Sequence, residues 1–360
     1  MTIETIGDSH QVDDSTYNSS TIPGEKQSIF LRRHWFECFE NHIASENSSV
    51  WLNLTEHKQK KILPLLKENK QKGIFGIKSL HSMSNYYSPV YGMLDNDINE
   101  IISAEHLDKS SIKLLTDFDS INISPLIHSQ ATGWLATFRE IGFYGHLYQH
   151  SVNWYHDNIV DIDHYWSLRP PRLLNTLRRK RDQMTKDGGF ATKIYSSGTL
   201  PELITALIDY HHVYFHSWKQ KEPYPAFIDA IAEQAWDNNE LRLGVIYHNE
   251  KPVAAQIWFV CNTSAYIFKL AHVEDYTKFS PGTVLMAELL KHVIEIDRVT
   301  CVDFLTGNDS YKKDWMSNHR PLYGIHLCNT RTLKGQLLSL LNFAGKLGKK
   351  LHLLREKHAD

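Results

Sequence analysis

Residues 299–315 read Val-Thr-Cys-Val-Asp-Phe-Leu-Thr-Gly-Asn-Asp-Ser-Tyr-Lys-Lys-Asp-Trp, and the apolar first half of this stretch predicts a buried strand. Its one carboxylate, Asp303, shares a side of the strand with Val299, Cys301 and Leu305, an apolar row in which an ionised acid is costly unless something pairs with it. Gly307 and Asn308 break the strand. Asn308 or Asp309 can cap a short helix that carries Tyr311 and Lys312 in its first turn. A strand end followed by a helix start is a common place for chemistry in α/β proteins.

Three further strands precede it in quick succession. They cover 241–248, 252–260 and 264–273 and are joined by Asn249-Glu250 and Asn262-Thr263, which predicts an antiparallel meander. In the third, Lys269 lies with Ala265, Ile267 and Ala271, so an ammonium sits in an apolar row as Asp303 does. If the two strands are neighbours the two charges can pair, a structural role that competes with direct catalysis by either. Ser280 and Pro281 then open an amphipathic helix over 284–296 as N-cap and first helical residue. The exposed N–H groups of such an end suit a phosphate, although every helix has a start.

Upstream, 169–186 holds seven basic residues and one acidic, with Leu173, Leu174 and Leu177 on one side. This is a helix with a positive face, either solvated or turned to an anionic partner: coenzyme phosphates, an acidic carrier protein or RNA. A long helix over 200–218 carries His211, His212 and His216, and the Glu-Pro-Tyr-Pro that follows must turn. His212 and His216 are one turn apart, but neither an HExxH glutamate nor a third ligand accompanies them, so no metal is expected. The Ser-Asn-Tyr-Tyr-Ser-Pro segment at 84–89 is a loop, either a packed turn or one wall of an acceptor pocket.

Earlier in the chain Trp35, Phe36, Phe39 and Ile43 fall at helical spacing, and 50–54 and 61–66 read as paired strands. Ile121, Ile123 and Leu126 mark another strand, 134–141 a helix and 145–154 a closing strand, an α/β or α+β order. With 360 residues, two domains are expected, 28–155 and 156–330, after a disordered tail at 1–27. At 331–360 comes a basic amphipathic helix, packed on the body or lying on a membrane surface. A net charge of -2 argues against wholesale nucleic-acid binding. The chain shows neither a bilayer-spanning apolar run nor a signal peptide, so a cytoplasmic protein is expected. Cys38, Cys261, Cys301 and Cys328 are far apart and read as small core residues.

A meander, a phosphate-type helix start, a strand with Asp303 and a tyrosine-bearing helix follow one another in the order of a GNAT acyltransferase core. The chain resembles the CelD-like subgroup of GNAT N-acetyltransferases, related to Fem-type peptidoglycan aminoacyl transferases, which contain two GNAT-like halves. The resemblance is carried by Arg169-Pro170, Leu174-Asn175-Thr176-Leu177-Arg178-Arg179-Lys180, Ala254-Ala255-Gln256, Phe268-Lys269-Leu270-Ala271, Ser280-Pro281-Gly282-Thr283, and the Asp303, Gly307, Tyr311, Lys312, Trp315 series. It covers most of residues 84–325. It departs from the superfamily at the pyrophosphate loop: with Gly282 in the last place, Thr277 and Ser280 occupy the positions of the usual Gln or Arg and first glycine.

The resemblance implies two GNAT-like domains, each a mixed, mainly antiparallel sheet flanked by helices. It implies transfer of an acyl group, acetyl in the first place, from coenzyme A to an amine or amino-sugar acceptor, in cell-envelope or exopolysaccharide synthesis, with no metal. An acyl carrier protein donor, a charged tRNA in the Fem manner, and a non-catalytic scaffold are the alternatives; the long coiled-coil pattern of several Fem proteins is missing. By resemblance Tyr311 is the acid and Asp303 or His272 the base. Leu270, Ala271, Ser280, Gly282, Thr283 and Lys312 would hold the donor, and Tyr86, Tyr87, His216, Trp218, Gln256 and Lys269 would shape the acceptor site.

Overall fold

The computed structural model describes residues 28–56, 59–70, 76–95 and 99–342. The expected tail at 1–27 and the far part of the C-terminal helix lie outside them. The first half runs α1 (Arg33–His42), β1 (Ser49–Glu56), β2 (Gln59–Lys70), β3 (Ile77–Ser82), α2 (Lys109–Thr116), β4 (Ser120–Leu126), α3 (His128–Glu140) and β5 (Phe143–His156). The second continues with α4 (Ile162–Ser167), α5 (Pro171–Asp187), β6 (Phe190–Tyr195), α6 (Leu200–Phe215), α7 (Pro225–Asp237), β7 (Leu241–His248), β8 (Lys251–Cys261) and β9 (Ser264–His272). After a 3-10 turn come α8 (Pro281–Glu295), β10 (Cys301–Thr306), α9 (Lys312–Trp315), β11 (Asn318–Asn329) and a last helix, α10, over 333–342.

Local chemistry sets these boundaries. Pro171 starts α5 where its missing N–H costs nothing, and Gly188 at φ 78° ends it. Thr199 and Glu202 cap α6 reciprocally. The β7–β8 turn has positive φ at both Asn249 and Glu250, which matches the twist of a hairpin, and Asn262 takes a positive φ in the next turn.

The strands form one mixed, mainly antiparallel sheet of eleven, ordered β1-β2-β3-β4-β11-β5-β10-β9-β8-β7-β6. Among the described residues only β3–β4 and β9–β10 are parallel. The boundary expected at residue 155 falls at the end of β5, yet the sheet does not part there. β11, from the second segment, lies between β4 and β5, while β5 closes against β10. Each half thus lends its last strand to the other, because β5 and β11 satisfy their backbone groups on both edges only in this arrangement.

Helices cover both faces. On one, Trp35 of α1 meets Phe227 of α7 with ring centroids 5.2 Å apart, in a core that also buries Phe36, Tyr91 and Trp134. On the other, Trp258, Tyr165 and Trp315 are buried with the apolar side of α8. Truncating a ring such as Trp35 to alanine would cost about 3–5 kcal/mol. All four cysteines are buried and none of them is in a disulfide. Over the described part of α10 Leu333, Leu337, Leu340 and Leu341 are exposed while Gly335 is buried and Leu338 half-buried, and the helix is tied to the body by Lys334 at the carbonyl of Gly76 and by Asn342 at His326 and Cys328. Among the described residues no helix is long and apolar enough to cross a membrane.

Candidate active site

β9 and β10 pair in parallel only from Ser264 to Tyr266 against Cys301 to Asp303. Beyond that point they diverge, for two local reasons. On β9 the register with β8 jumps between Ile257 and Trp258, leaving Phe268 as the extra residue of a bulge. On β10 Leu305 takes a left-handed φ of 56°, a strained state for a leucine, of order 1–3 kcal/mol. Asp303 Oδ1 accepts the Leu305 N–H at 2.6 Å, and Asn153 Nδ2 donates to the Leu305 carbonyl at 3.0 Å, so these two side chains hold the bend. Gly307 then turns at φ 113°, where a side chain would be strained.

A cleft of about 280 Å³ opens between the diverging strands. It brings together six of the residues named from the sequence: Tyr86, Tyr87, Lys269, Leu270, Tyr311 and Lys312. Tyr311 precedes α9, is 41 % exposed, and packs edge-on against Phe304. Burial, and then the negative charge of Asp309, raise its pKa above the ordinary value, so it is a neutral phenol with a proton to give. Lys312 is buried and donates to the carbonyls of Phe304 (3.2 Å) and Thr306 (2.7 Å), which pins the end of β10 rather than leaving the ammonium free.

The expected pairing of Lys269 with Asp303 does not form. Asp303 stands opposite Tyr266, and Lys269 is three residues farther on, ~10 Å along the strand. The bulge also breaks the assumed row: Ala265 and Ile267 belong to one core and Ala271 to the other. Lys269 instead donates to Glu222 Oε2 at 2.6 Å and sits 4.2 Å from the Tyr87 ring centroid. Tyr87 donates to Glu222 Oε1 and accepts from Tyr86 at 2.8 Å. Burial lowers the pKa of Lys269, and the hydrogen bond to Glu222 works against it.

Asp303 lies outside the cleft. Its carboxylate is buried, with Asn153 Nδ2 at 2.6 Å and Arg320 at 3.4 Å. Burial raises its pKa while Arg320, the Leu305 N–H and Asn153 pull it down. With these partners taking up its oxygens, it shapes the cleft from behind and is not placed to collect a substrate proton.

The other named residues gather farther along β9. The rings of His272 and Trp218 are 4.4 Å apart, and His272 faces Gly282 in the first turn of α8. Burial, and then Lys219, lower the pKa of His272, so it is a neutral imidazole at pH 7. Ser280 sits at the N-cap position as expected, but at φ 50° and without a side-chain capping bond; Thr283 is half-buried beside it. His216 is exposed, its ring 4.3 Å from that of His212, while His211 pairs with Asp229 at 2.6 Å. Among the described residues no group of three His, Cys, Asp or Glu side chains could hold a metal ion. Gln256, expected to touch substrate, is fully buried: its Nε2 donates to the Gly282 carbonyl at 2.8 Å and its Oε1 accepts from Trp258 at 2.9 Å. It braces α8 against β8.

Sequence reasoning missed Lys219, Glu222, Asn153 and Arg320. Glu222 did carry a signal, an acid fixed in a turn between Lys221 and Pro223. Several basic groups of the α5 face are also engaged: Arg172 with Asp314, Arg181 with Glu288 at 2.7 Å, and Lys180 with the Lys278 carbonyl. Arg169 is buried and donates to the carbonyls of Tyr165 and Trp315 and to Ser317, so it ties α4 and α5 to α9 and β11.

No curated protein matches the chain by sequence. Among solved structures it is similar to FemX, at 10% identity and TM-score 0.54 over 84% of this chain and 97% of that one. It is likewise similar to L-PGS from Bacillus licheniformis, at 11% identity and TM-score 0.51 over 86% of this chain and 96% of that one. These likenesses are of fold. Residues 171–313, which include the diverging strands, the start of α8 and Tyr311, match a family model described as an acetyltransferase (GNAT) domain.

Proposed function

We propose that this chain is an N-acyltransferase of the CelD-like GNAT subgroup, built of two GNAT-like units, that moves an acyl group, acetyl in the first place, from coenzyme A to an amine or amino-sugar acceptor. The observation that carries the reading is the divergence of β9 from β10, with Tyr311 at the cleft between them. Among the described residues β9 has no sheet partner on the β10 side beyond Tyr266, so its edge from Ile267 to His272 is open beside the first turn of α8. That fits a thioester donor lying along the strand, with its phosphates toward Ser280, Gly282 and Thr283.

A bound acyl-coenzyme A would supply the thioester carbonyl. Backbone N–H groups near Leu270 and Ala271 would polarise the carbonyl oxygen. His272, neutral at pH 7, would take the amine proton directly or through water, while the C–N bond forms and the C–S bond breaks. Tyr311 would return a proton to the departing sulfur. Carrier-protein thioesters would use the same edge, and an envelope or exopolysaccharide product and a cytoplasmic site of action go with this reading. The exposed leucines of α10, followed by Lys346, Lys349, Lys350 and Arg355, favour peripheral contact with an anionic inner membrane face.

Calorimetry with acetyl-coenzyme A, together with turnover of an amine panel by the wild type and Tyr311→Phe, tests the proposal. No coenzyme binding and no effect of the substitution would sink it. The likeness of fold to FemX and L-PGS favours, as a second reading, an aminoacyl transfer from charged tRNA, with the exposed basic residues of α5 as its RNA contact. Under that reading filter binding of tRNA occurs and falls steeply with salt.

A further inference from the structure

Three ammonium groups line the cleft, from Lys219, Lys269 and Lys312. Lys269 is matched by Glu222 at 2.6 Å, and Lys312 is held by two carbonyls with Asp309 3.7 Å away. Lys219 is different. Among the described residues its side chain makes no ion pair and no hydrogen bond: Glu222 and Asp309, whose charges reach it, are paired with Lys269 and Lys312, and the Tyr214 and Trp218 rings lie at 5.8 and 5.9 Å. Two acids against three ammoniums leave one positive charge in excess, in a half-buried position at a cleft otherwise walled mainly by rings and aliphatic side chains. Such a charge is held at a cost that a ligand's anionic group would offset.

We propose that the acceptor amine carries an acidic group, a carboxylate or a phosphate, and that Lys219 receives it. This rests on the proposed acyl transfer, with the Tyr86, Tyr87 and Lys269 wall of the cleft as its acceptor side. The placement suits the chemistry: Lys219 and Tyr311 line the same cleft, so an acid at one end of a small acceptor would set its amine near the reacting end. Burial, and then repulsion from Lys269, lower the Lys219 pKa to about 8, and the more distant attraction of Glu222 and Asp309 offsets this only in part. A neutral amino sugar would leave that charge unmatched.

The test is calorimetry on the full chain without any acyl donor. The probes are a short series of ω-amino acids, the corresponding carboxamides, and ω-aminoalkylphosphonates of the same chain lengths. The acidic members are expected to bind about tenfold tighter than the amides, to lose that preference in Lys219→Met, and to keep most of it in Lys219→Arg. The tighter of the carboxylate and phosphonate series identifies the group. The proposal is overturned if no acidic amine binds, if the preference survives Lys219→Met, or if coenzyme A alone abolishes it by occupying the same charge. An acid preference without acyl transfer would leave this inference standing and remove only the donor assignment.

Discussion

The ammonium of Lys269 is bound to Glu222, 2.6 Å from Oε2, on the face that holds Tyr87, and Asp303 is occupied separately by Arg320 and Asn153. Two charged pairs that could have been one therefore do different work. Lys269 and Glu222 fasten the turn after α6 to β9, and Asp303 holds the bend in β10.

This separation is measurable. Lys269→Met and Glu222→Leu should each destabilise by about 3–5 kcal/mol, because each strands a buried charge, while the double variant should lose much less than the sum. Lys269→Met combined with Asp303→Leu should be additive. Urea denaturation of the cycle decides the matter, and strong coupling between Lys269 and Asp303 would refute it.

Tyr311→Phe should lower kcat by about a hundredfold or more, with little change in KM for either substrate and no change in thermal stability. Its phenol lies against Phe304 and makes no structural hydrogen bond among the described residues, so the ring alone keeps the packing. Steady-state kinetics on an acceptor found in the panel would check it; an equal kcat for Tyr311→Phe and wild type would remove Tyr311 from proton transfer.

Gln256→Ala should loosen the first turn of α8 without touching the acceptor cleft. The buried Trp258 N–H and the Gly282 carbonyl lose their partner, at a stability cost of about 1–3 kcal/mol. Coenzyme A affinity should drop while the dissociation constant of an amine probe holds, a split that two calorimetric titrations would reveal.

His156 supplies the pH dependence of stability. It is buried, both of its ring nitrogens lack a hydrogen-bond partner among the described residues, and burial followed by the nearby Arg169 lowers its pKa to about 4. The unfolded chain takes up this proton near pH 6.5, and the folded chain does not until about pH 4. Stability from this group is therefore complete above about 6.5 and declines as the pH falls toward 4. His156→Phe should flatten that limb of a melting-temperature profile between those values.

Much of the site could be read from the chain. The turn at Gly307, the helix start at Pro281 and the hairpins at Asn249 and Asn262 are local matters, decided by residues within a few positions, and they stand where expected. The loop at 84–89 reads as either a packed turn or a pocket wall, and Tyr86 and Tyr87 line the cleft. Partners distant in sequence were not legible: Arg320 comes 17 residues after Asp303, and Asn153 lies 150 residues before it. The bulge at Phe268 inverts the alternation that puts Lys269 on the side of Ala265 and Ile267, and period-two reasoning has no means of seeing an extra residue. The exchange of β5 and β11 depends on pairing across the whole chain.

That exchange makes the protein a kind of internal heterodimer. A chain severed in the loop at 157–161 would give two fragments, each holding the strand the other is missing, and each alone would display an unpaired edge prone to aggregation. Expressed together they should assemble into a soluble complementing pair; expressed apart, both should precipitate. On the ribosome the same dependence means that the first half waits, with β4 and β5 unjoined, until β11 has been made, so completion of the fold is a late event tied to the final strand.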